Sequence, residues 1–431
     1  MASALLKSSE TEELMNTEAI ENTEVKKSNF GKFMLLWAGD LISSIGGGLT
    51  SFGLGVYVFN LTGSAASMAL ISLLGFLPTF LFSVPAGVLA DRYDRRVLMM
   101  IGDGFSALGI IYILICMMQG ECAIWQIGVG VFVSATFQAL LEPAYRATVT
   151  DLLTKEEYSR ASGLVSIAGS SRYLISPMIA GFLLTFSDVK LLMIIDICTF
   201  FLTVTSTFVV KKGIETKETE KEESFFASLK SGWQAIHGRK GVFVLILVSS
   251  AITLFMGVFQ ILAEPMVLAF SDAKTLGVTE TICASGMLVS SIFLGIRGIK
   301  KKFVVVLSLS LAAAGAFIFG FGIWENIFLI APFGFGFFLM LPFANNCLDY
   351  LVRTNIPDEL QGRAWGMISF LSQIGYVIAF GLSGLISDFL GDMLKIGVGR
   401  GAALVIKGSG VLLLLISLLL LRIKSVKALE E

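Results

Sequence analysis

Charged side chains are scarce in this chain, and histidine is almost missing. Asp, Glu, Lys and Arg make up 15% of the 431 residues, against about 25% in soluble proteins, and apolar residues make up 55%. This balance excludes an ordinary soluble domain. The single histidine, His237, and five scattered cysteines provide no metal-ligand spacing. Neither a phosphate-binding Walker loop nor a nucleophile–base pair is found. The sequence therefore predicts no enzyme, no direct use of ATP and no nucleic-acid partner.

Long apolar blocks take the place of the missing charge. A helix needs about 20 apolar residues to cross a bilayer, whereas barrel strands are shorter and alternate in polarity. Twelve blocks approach or exceed that length, at residues 32–59, 67–90, 97–119, 122–141, 161–186, 189–210, 241–270, 275–296, 303–323, 326–350, 364–387 and 401–421. The sequence therefore predicts an all-α membrane protein with twelve transmembrane helices.

A hydrophilic stretch between the sixth and seventh blocks divides the chain into two halves. "RASGLVSIAG" at Arg160 and "RAWGMISFLS" at Arg363 align at an offset of 203 residues, a faint internal repeat. Parallel six-helix repeats are typical of transporters whose halves rock about a central site. The predicted domains are a disordered tail (1–29), a first half (30–210), a linker with an interfacial helix (211–240), a second half (241–422) and a tail (423–431).

Basic residues are distributed unequally between the two sides of the predicted membrane. With both termini on one side, that side carries 26 Lys and Arg residues and the opposite side carries 4. By the positive-inside rule, the termini are cytoplasmic.

The turn between the second and third blocks, "GVLADRYDRR", concentrates charge. An arginine or aspartate at the bilayer centre costs about 2.5–3.5 kcal/mol, so this turn lies outside the hydrocarbon. A topogenic role alone would explain its charge. The pattern Gly-x-Leu-Ala-Asp-Arg-x-x-Arg-Arg nevertheless resembles the signature loop of the major facilitator superfamily. The resemblance implies two pseudo-symmetric six-helix halves and a cytoplasmic gate, and the matching residues are Gly87, Asp91, Arg92, Arg95 and Arg96.

Two expectations about this gate follow from the resemblance. Gly87 would allow close helix approach. Asp94 stands where the family usually has glycine. Aspartate tolerates left-handed turn geometry better than most residues, so we expect it to keep the turn.

A second resemblance lies in the fifth block. "SPMIAG", which contains Ser176, Pro177 and Gly181, is similar to a degraded Gly-Pro-x-x-Gly-Gly motif of antiporters. A kinked interface of small residues would explain it as well. Together with "ADRYDRR", "EPAYRATVTDLL" and "GGGLTS", it resembles the macrolide-efflux and siderophore-exporter branch of drug–proton antiporters, although the fourth block lacks the arginine common in such antiporters.

The resemblance implies export of amphiphilic small molecules across a bacterial cell membrane, driven by the proton motive force without a cofactor, by a protein that we expect to be monomeric. Two alternatives remain open. One is a lipid or metabolite carrier of the same fold, and the other is a membrane receptor or scaffold that transports nothing.

Polar side chains inside apolar blocks are costly and therefore mark candidate sites. Such residues lie in the four blocks that line the central cavity in the resembled family, and we predict substrate or proton binding at Asp40, Gln138, Glu142, Gln260, Glu264 and Asp349. Structural ion pairing or solvation near the helix ends is the alternative.

Two further charges lie deeper in the membrane. Arg172 and Asp196 are about 17 and 20 Å from the inner side at 1.5 Å per residue, which predicts an ion pair between the fifth and sixth blocks. Such a pair either holds the two helices together or takes part in proton coupling at the central cavity. Asp103 is expected to join the charge network of the turn.

Overall fold

The computed structural model describes residues 28–211 and 240–430. In these ranges the chain is helical, with one short 3₁₀ turn at Lys155–Glu157. The α-helices are α1 Phe30–Thr62, α2 Ala65–Arg92, α3 Arg95–Gln119, α4 Ile124–Gln138, α5 Leu141–Leu152, α6 Tyr158–Leu174, α7 Ser176–Leu183, α8 Val189–Lys211, α9 Lys240–Leu268, α10 Ala273–Arg297, α11 Phe303–Phe321, α12 Ile327–Asn355, α13 Asp358–Met393, α14 Val398–Leu420 and α15 Lys424–Lys427.

Within the described ranges, eleven segments are long and apolar enough to cross a membrane. They correspond to every predicted block except the fifth, which is interrupted at Ile175 between α6 and α7. The all-α membrane fold is thus confirmed, and the twelfth crossing stays a prediction. Below, spans 1 to 3 are α1 to α3, span 4 is α4 with α5, span 5 is α6 with α7, and spans 6 to 12 are α8 to α14.

Polar caps begin several of these helices. Ser64 caps span 2 by accepting a hydrogen bond from the backbone N of Ser67, and Asp272 does the same for span 8 through Thr275. Such caps satisfy backbone donors that the first turn of a helix leaves without partners. Each cap fixes where a span begins, and with it the depth of the side chains that follow.

The two halves repeat one pattern of neighbours. In each half, the first helix packs against the fifth and sixth, the second against the fourth, and the third against the fourth and sixth. Contacts between the halves follow the same symmetry, since span 2 packs on span 11 and span 5 packs on span 8. This arrangement is what the weak sequence repeat predicted.

Of the two chain ends and the linker, only the C-terminal tail lies largely within the described residues. Residues 1–27 and the predicted interfacial helix, in 212–239, lie outside the described residues. The predicted tail at 423–431 packs against the second half, because the backbone N of Val304 donates to Glu430 at 3.1 Å and the Asn355 side chain donates to the carbonyl of Leu429 at 3.0 Å. Val426, in the short helix α15, is fully buried.

Candidate functional site

The charged turn between spans 2 and 3 marks one side of the molecule, which we call the inner side. Asp94 caps span 3, since its carboxylate accepts a hydrogen bond from the backbone N of Arg96 at 3.0 Å. The turn is kept, as expected, and with a φ of −57° Asp94 does not need left-handed geometry to form it. An aspartate fits this position because it serves as a helix cap. Lys211, at the end of span 6, lies 3.7 Å from the Asp94 carboxylate.

The arginines of the turn hold it to span 4. Arg95 donates to the carboxylate of Asp151 at 2.7 Å and to the carbonyl of Ala147 at 3.3 Å. Arg96 lies 4.0 Å from the second oxygen of Asp151. These contacts tie the turn to its own half of the protein.

The other three residues of the signature loop are Gly87, Asp91 and Arg92. No described atom lies within 4 Å of the position that a Cβ on Gly87 would occupy, so the expected close helix approach is wrong for this conformation. Arg92 is exposed. The side chain of Asp91 lies outside the described atoms, and its gating role stays a prediction.

On the opposite, outer side, an aspartate joins the two halves. Asp388 of span 11 accepts three hydrogen bonds at the start of span 2, from the Ser64 hydroxyl at 2.6 Å and from the backbone N of Ala65 and of Ala66, both at 3.0 Å. We call this contact the Asp388 latch. Nearby, a Cβ on Gly384 would lie 2.6 Å from the carbonyl oxygen of Ala65, so the two helices touch backbone to backbone.

The "SPMIAG" segment forms a second seam between the halves on the outer side. A Cβ on Gly181 would lie 2.5 Å from the carbonyl oxygen of Ala273 in span 8, and a Cβ on Gly277 would collide with the carbonyl of Pro177. Ser176 donates to the carbonyl of Ile45 in span 1 at 3.0 Å. The segment therefore serves as an interface of small residues, and its antiporter interpretation stays a prediction.

The inner ends of spans 4 and 10, in contrast to the outer seams, carry exposed carboxylates. The side chain of Glu142 on span 4 is 68% exposed, and it pairs at 2.8 Å with Arg146 of the same helix. The side chain of Asp349 on span 10 is 46% exposed and accepts a hydrogen bond from Arg353, also at 2.8 Å. From the contacts at the outer ends and the exposed carboxylates at the inner ends, we infer a conformation that is open to the inner side.

Asp40 is a half-buried carboxyl group between the inner opening and the interior of the first half. It interacts electrostatically with Glu142 and with Asp103. Gln138 lies on the far side of span 4, where its amide donates to the Ser106 hydroxyl of span 3 at 3.2 Å. The structure thus brings Asp40 and Glu142 together and directs Gln138 toward span 3.

Arg172 and Asp196 face each other across three consecutive glycines of span 1. A Cβ on Gly46 would lie 2.9 Å from a carboxylate oxygen of Asp196, and one on Gly47 would lie 3.9 Å from the Arg172 guanidinium. Arg172 attracts the Asp196 carboxylate, yet the described residues form no direct salt bridge between them. The predicted proximity is present, and the direct ion pair is absent from this conformation.

Carboxyl groups also meet in the second half. Glu264 of span 7 lies against Gly55 of span 1 and interacts electrostatically with Glu280 of span 8. Gln260, one turn earlier on span 7, is half-buried. The sequence analysis missed Glu280, although it is an acid inside an apolar block and the same rule would have found it.

Sequence analysis also missed the Asp388 latch. Asp388 lies just beyond the predicted end of its block, and its three partners are more than 300 residues away in sequence. No local signal marks such a contact.

Two repeated halves of membrane helices that pack together through spans 2, 5, 8 and 11 have the architecture of a membrane transporter. The chain belongs to the major facilitator superfamily, whose sequence profile matches residues 36–380. This confirms the resemblance that the charged turn indicated.

Named relatives and a solved structure are similar over most of the chain. Macrolide efflux protein A of Streptococcus pyogenes is 26% identical over 370 residues, which cover 84% of this chain and 90% of the relative. The protein of the same name from Enterococcus faecalis is 25% identical over 73% of this chain and 99% of its own length. A crystal structure of a bacterial homologue of the iron transporter ferroportin, in an inward-facing state, covers 91% of this chain and 100% of its own, with a TM-score of 0.70 and 12% identity.

Proposed function

We propose that this transporter exports amphiphilic, macrolide-like small molecules in exchange for protons by alternating access. The observation that carries the proposal is a pair of carboxyl groups at the inner opening, the half-buried Asp40 and the exposed Glu142. They lie in a fold whose halves meet at their outer ends. A substrate that enters from the inner side would leave once the outer seams open and the inner ends close.

The substrate class is supported by the relatives named macrolide efflux protein A and by aromatic side chains between the halves. Phe80 of span 2 stacks on Phe370 of span 11 with ring centroids 5.0 Å apart, and Phe76 contacts Tyr376 and Phe380. An apolar surface with a few polar anchors suits an amphiphilic ligand. The aromatic rings supply the apolar part, and the acids of spans 1 and 4 supply the anchors.

Asp40 lies on the proposed path of proton exchange. A carboxyl group that faces the opening in one conformation and the interior in another gains and loses its proton as its solvation changes. Bacterial export requires that the inner side is cytoplasmic, as the distribution of Lys and Arg predicts. A lipid or metabolite carrier of the same fold remains the second candidate function, because the fold alone does not select a substrate.

The test uses purified protein in liposomes with an imposed pH gradient and radiolabelled erythromycin as the probe. Wild type should accumulate the probe only with the gradient, and a protonophore should abolish accumulation. Asp40→Asn should still bind the probe while pH-driven accumulation is lost. Gradient-driven transport by Asp40→Asn at the wild-type rate would remove Asp40 from the mechanism. If wild type shows no gradient-driven transport of any macrolide, the proposed function is wrong.

A further inference from the structure

One buried carboxyl group has no part in the mechanism described so far. Asp103 of span 3 is 1% exposed, and neither carboxyl oxygen has a hydrogen-bond partner among the described residues. Sequence analysis assigned Asp103 to the charged turn, and that assignment is wrong. The arginines of the turn engage Asp151, whereas Asp103 lies about two helical turns farther into the membrane.

Acidic groups approach Asp103 from the neighbouring helices. Asp40 of span 1 and Asp196 of span 6 both interact electrostatically with it. Arg172 of span 5 attracts the Asp196 carboxylate. None of the described cations forms a salt bridge with Asp103, so the charges that act on it most directly are negative.

Span 4 supplies the groups between this cluster and the inner opening. Glu142 and the hydroxyl of Tyr145 interact electrostatically with Asp40. Glu142 is exposed at the opening. Asp103, Asp40 and Glu142 therefore form a sequence of carboxyl groups that passes from full burial, through partial burial, to solvent.

A proton is the ligand that suits the buried end of this sequence. An ionised carboxylate without hydrogen bonds is very costly in a protein interior, and repulsion from nearby carboxylates adds to the cost. Protonation removes the charge and needs no cavity. A metal cation would need several oxygen ligands that converge on one point. The described residues contain no group of three or more acids, cysteines or histidines arranged to hold a metal ion.

We propose that Asp103 carries the exchanged proton and that Asp40 and Glu142 conduct it to the inner opening. The proposal rests on the proposed function of proton antiport. In this conformation the Asp103 carboxyl holds the proton. Release breaks its O–H bond and forms one on the Asp40 carboxylate, which then passes the proton through water to Glu142 and the bulk. Asp103 is left ionised, and it takes up the next proton from the outer side after the halves have rocked.

Infrared titration of the purified protein in lipid tests the site without any substrate. Wild type should show carbonyl absorption from protonated carboxyl groups at neutral pH, and the difference spectrum between wild type and the isosteric variant Asp103→Asn should contain one such band. Asp392→Asn, which changes an exposed carboxylate at the outer end of span 11, should give no such difference band. A carbonyl region that is identical in wild type and Asp103→Asn at neutral pH overturns the proposal. If Asp103→Asn does not fold, Asp103→Glu decides, since an unchanged band position would show that another group carries the proton.

Transport measurements separate this inference from the proposed function. Asp103→Asn in liposomes should lose pH-driven accumulation of erythromycin and keep exchange of labelled against unlabelled erythromycin, which requires no net proton movement. Normal pH-driven accumulation by the variant would refute the role of Asp103 and leave the antiport proposal standing. Absence of pH-driven accumulation in wild type, together with an Asp103-dependent infrared band, would refute antiport and with it the exchange role, and would leave Asp103 as a proton-binding site.

Discussion

The Asp388 latch predicts a measurable effect on the balance between the outer-closed and outer-open conformations. Asp388→Ala removes the acceptor for all three hydrogen bonds at the start of span 2. A carboxylate at a helix N-terminus contributes about 0.3–1 kcal/mol, and up to about 2 kcal/mol when partly buried, as Asp388 is. Hydrogen bonds to charged groups contribute about 1.5–3 kcal/mol each, although such contributions do not add.

We therefore expect the variant to lose about 2 kcal/mol of the stability of the outer-closed state. At 1.4 kcal/mol per factor of ten, this changes the ratio of closed to open molecules by about 30-fold. Asp388→Asn keeps an oxygen acceptor and loses the charge, so its shift should be smaller.

Spin labels on exposed residues of the two outer turns report the change. Ser187 lies between spans 5 and 6, and Lys395 lies between spans 11 and 12. Distances between labels at these positions, in a background without native cysteines, should shift toward longer values in Asp388→Ala. Asp392→Ala, one turn farther along span 11 and exposed, is the matched control and should resemble the parent protein. An unchanged distance distribution in Asp388→Ala would refute the latch.

Three other outcomes are expected. Gly277→Leu should hold the outer ends of spans 5 and 8 apart, and outer-facing cysteine labelling should then rise without loss of folded protein. Asp151→Asn should remove the Arg95 ion pair and cost about 1 kcal/mol, since both side chains are partly solvated, seen as a small loss of thermal stability. Hydrogen bonds from the backbone of residue 154 and from Ser28 lower the pKa of Glu157. The hydrogen bond from Ser28 to Glu157 should therefore persist at neutral pH and weaken as the pH falls through that lowered pKa. Glu157→Gln should increase proteolysis beside Ser28.

Each of these outcomes has a clear contrary result. Gly277→Ala, with a smaller added side chain, should give less labelling than Gly277→Leu, and equal labelling would contradict a steric cause. Thermal stability of Asp151→Asn equal to wild type would show that water replaces the ion pair at no cost. If cleavage beside Ser28 has the same pH dependence in wild type and in Glu157→Gln, a group other than Glu157 causes that dependence.

The transmembrane plan could be predicted from the sequence because the bilayer leaves few choices. Backbone groups in hydrocarbon must pair within their own segment, so a long apolar block has to form a helix. Eleven blocks followed this rule. Span 5 did not satisfy it as one helix, because its first part carries polar residues and its helix is interrupted at Ile175.

Side-chain environments were harder to predict. Depth along a helix follows from counting residues, but the face on which a residue lies depends on its neighbours in space. For this reason the surroundings of Asp103 were predicted wrongly. The proximity of Arg172 and Asp196 was predicted from equal depth on adjacent blocks. Their separation beyond salt-bridge distance depends on side-chain positions that no spacing rule supplies.

The glycine seams at Gly181, Gly277 and Gly384 have a consequence for the speed of the transport cycle. At these positions backbone lies against backbone, so no large side chain is inserted into a socket of the opposite half. Interdigitated side chains would have to change rotamers before two halves could part, and each such change would raise the activation barrier. Smooth surfaces avoid that step. At the outer ends, the barrier to opening is then set mainly by a few polar contacts, and the aromatic contacts of span 2 with span 11 add to it farther inward. Changing one of these contacts at a time would change the turnover rate.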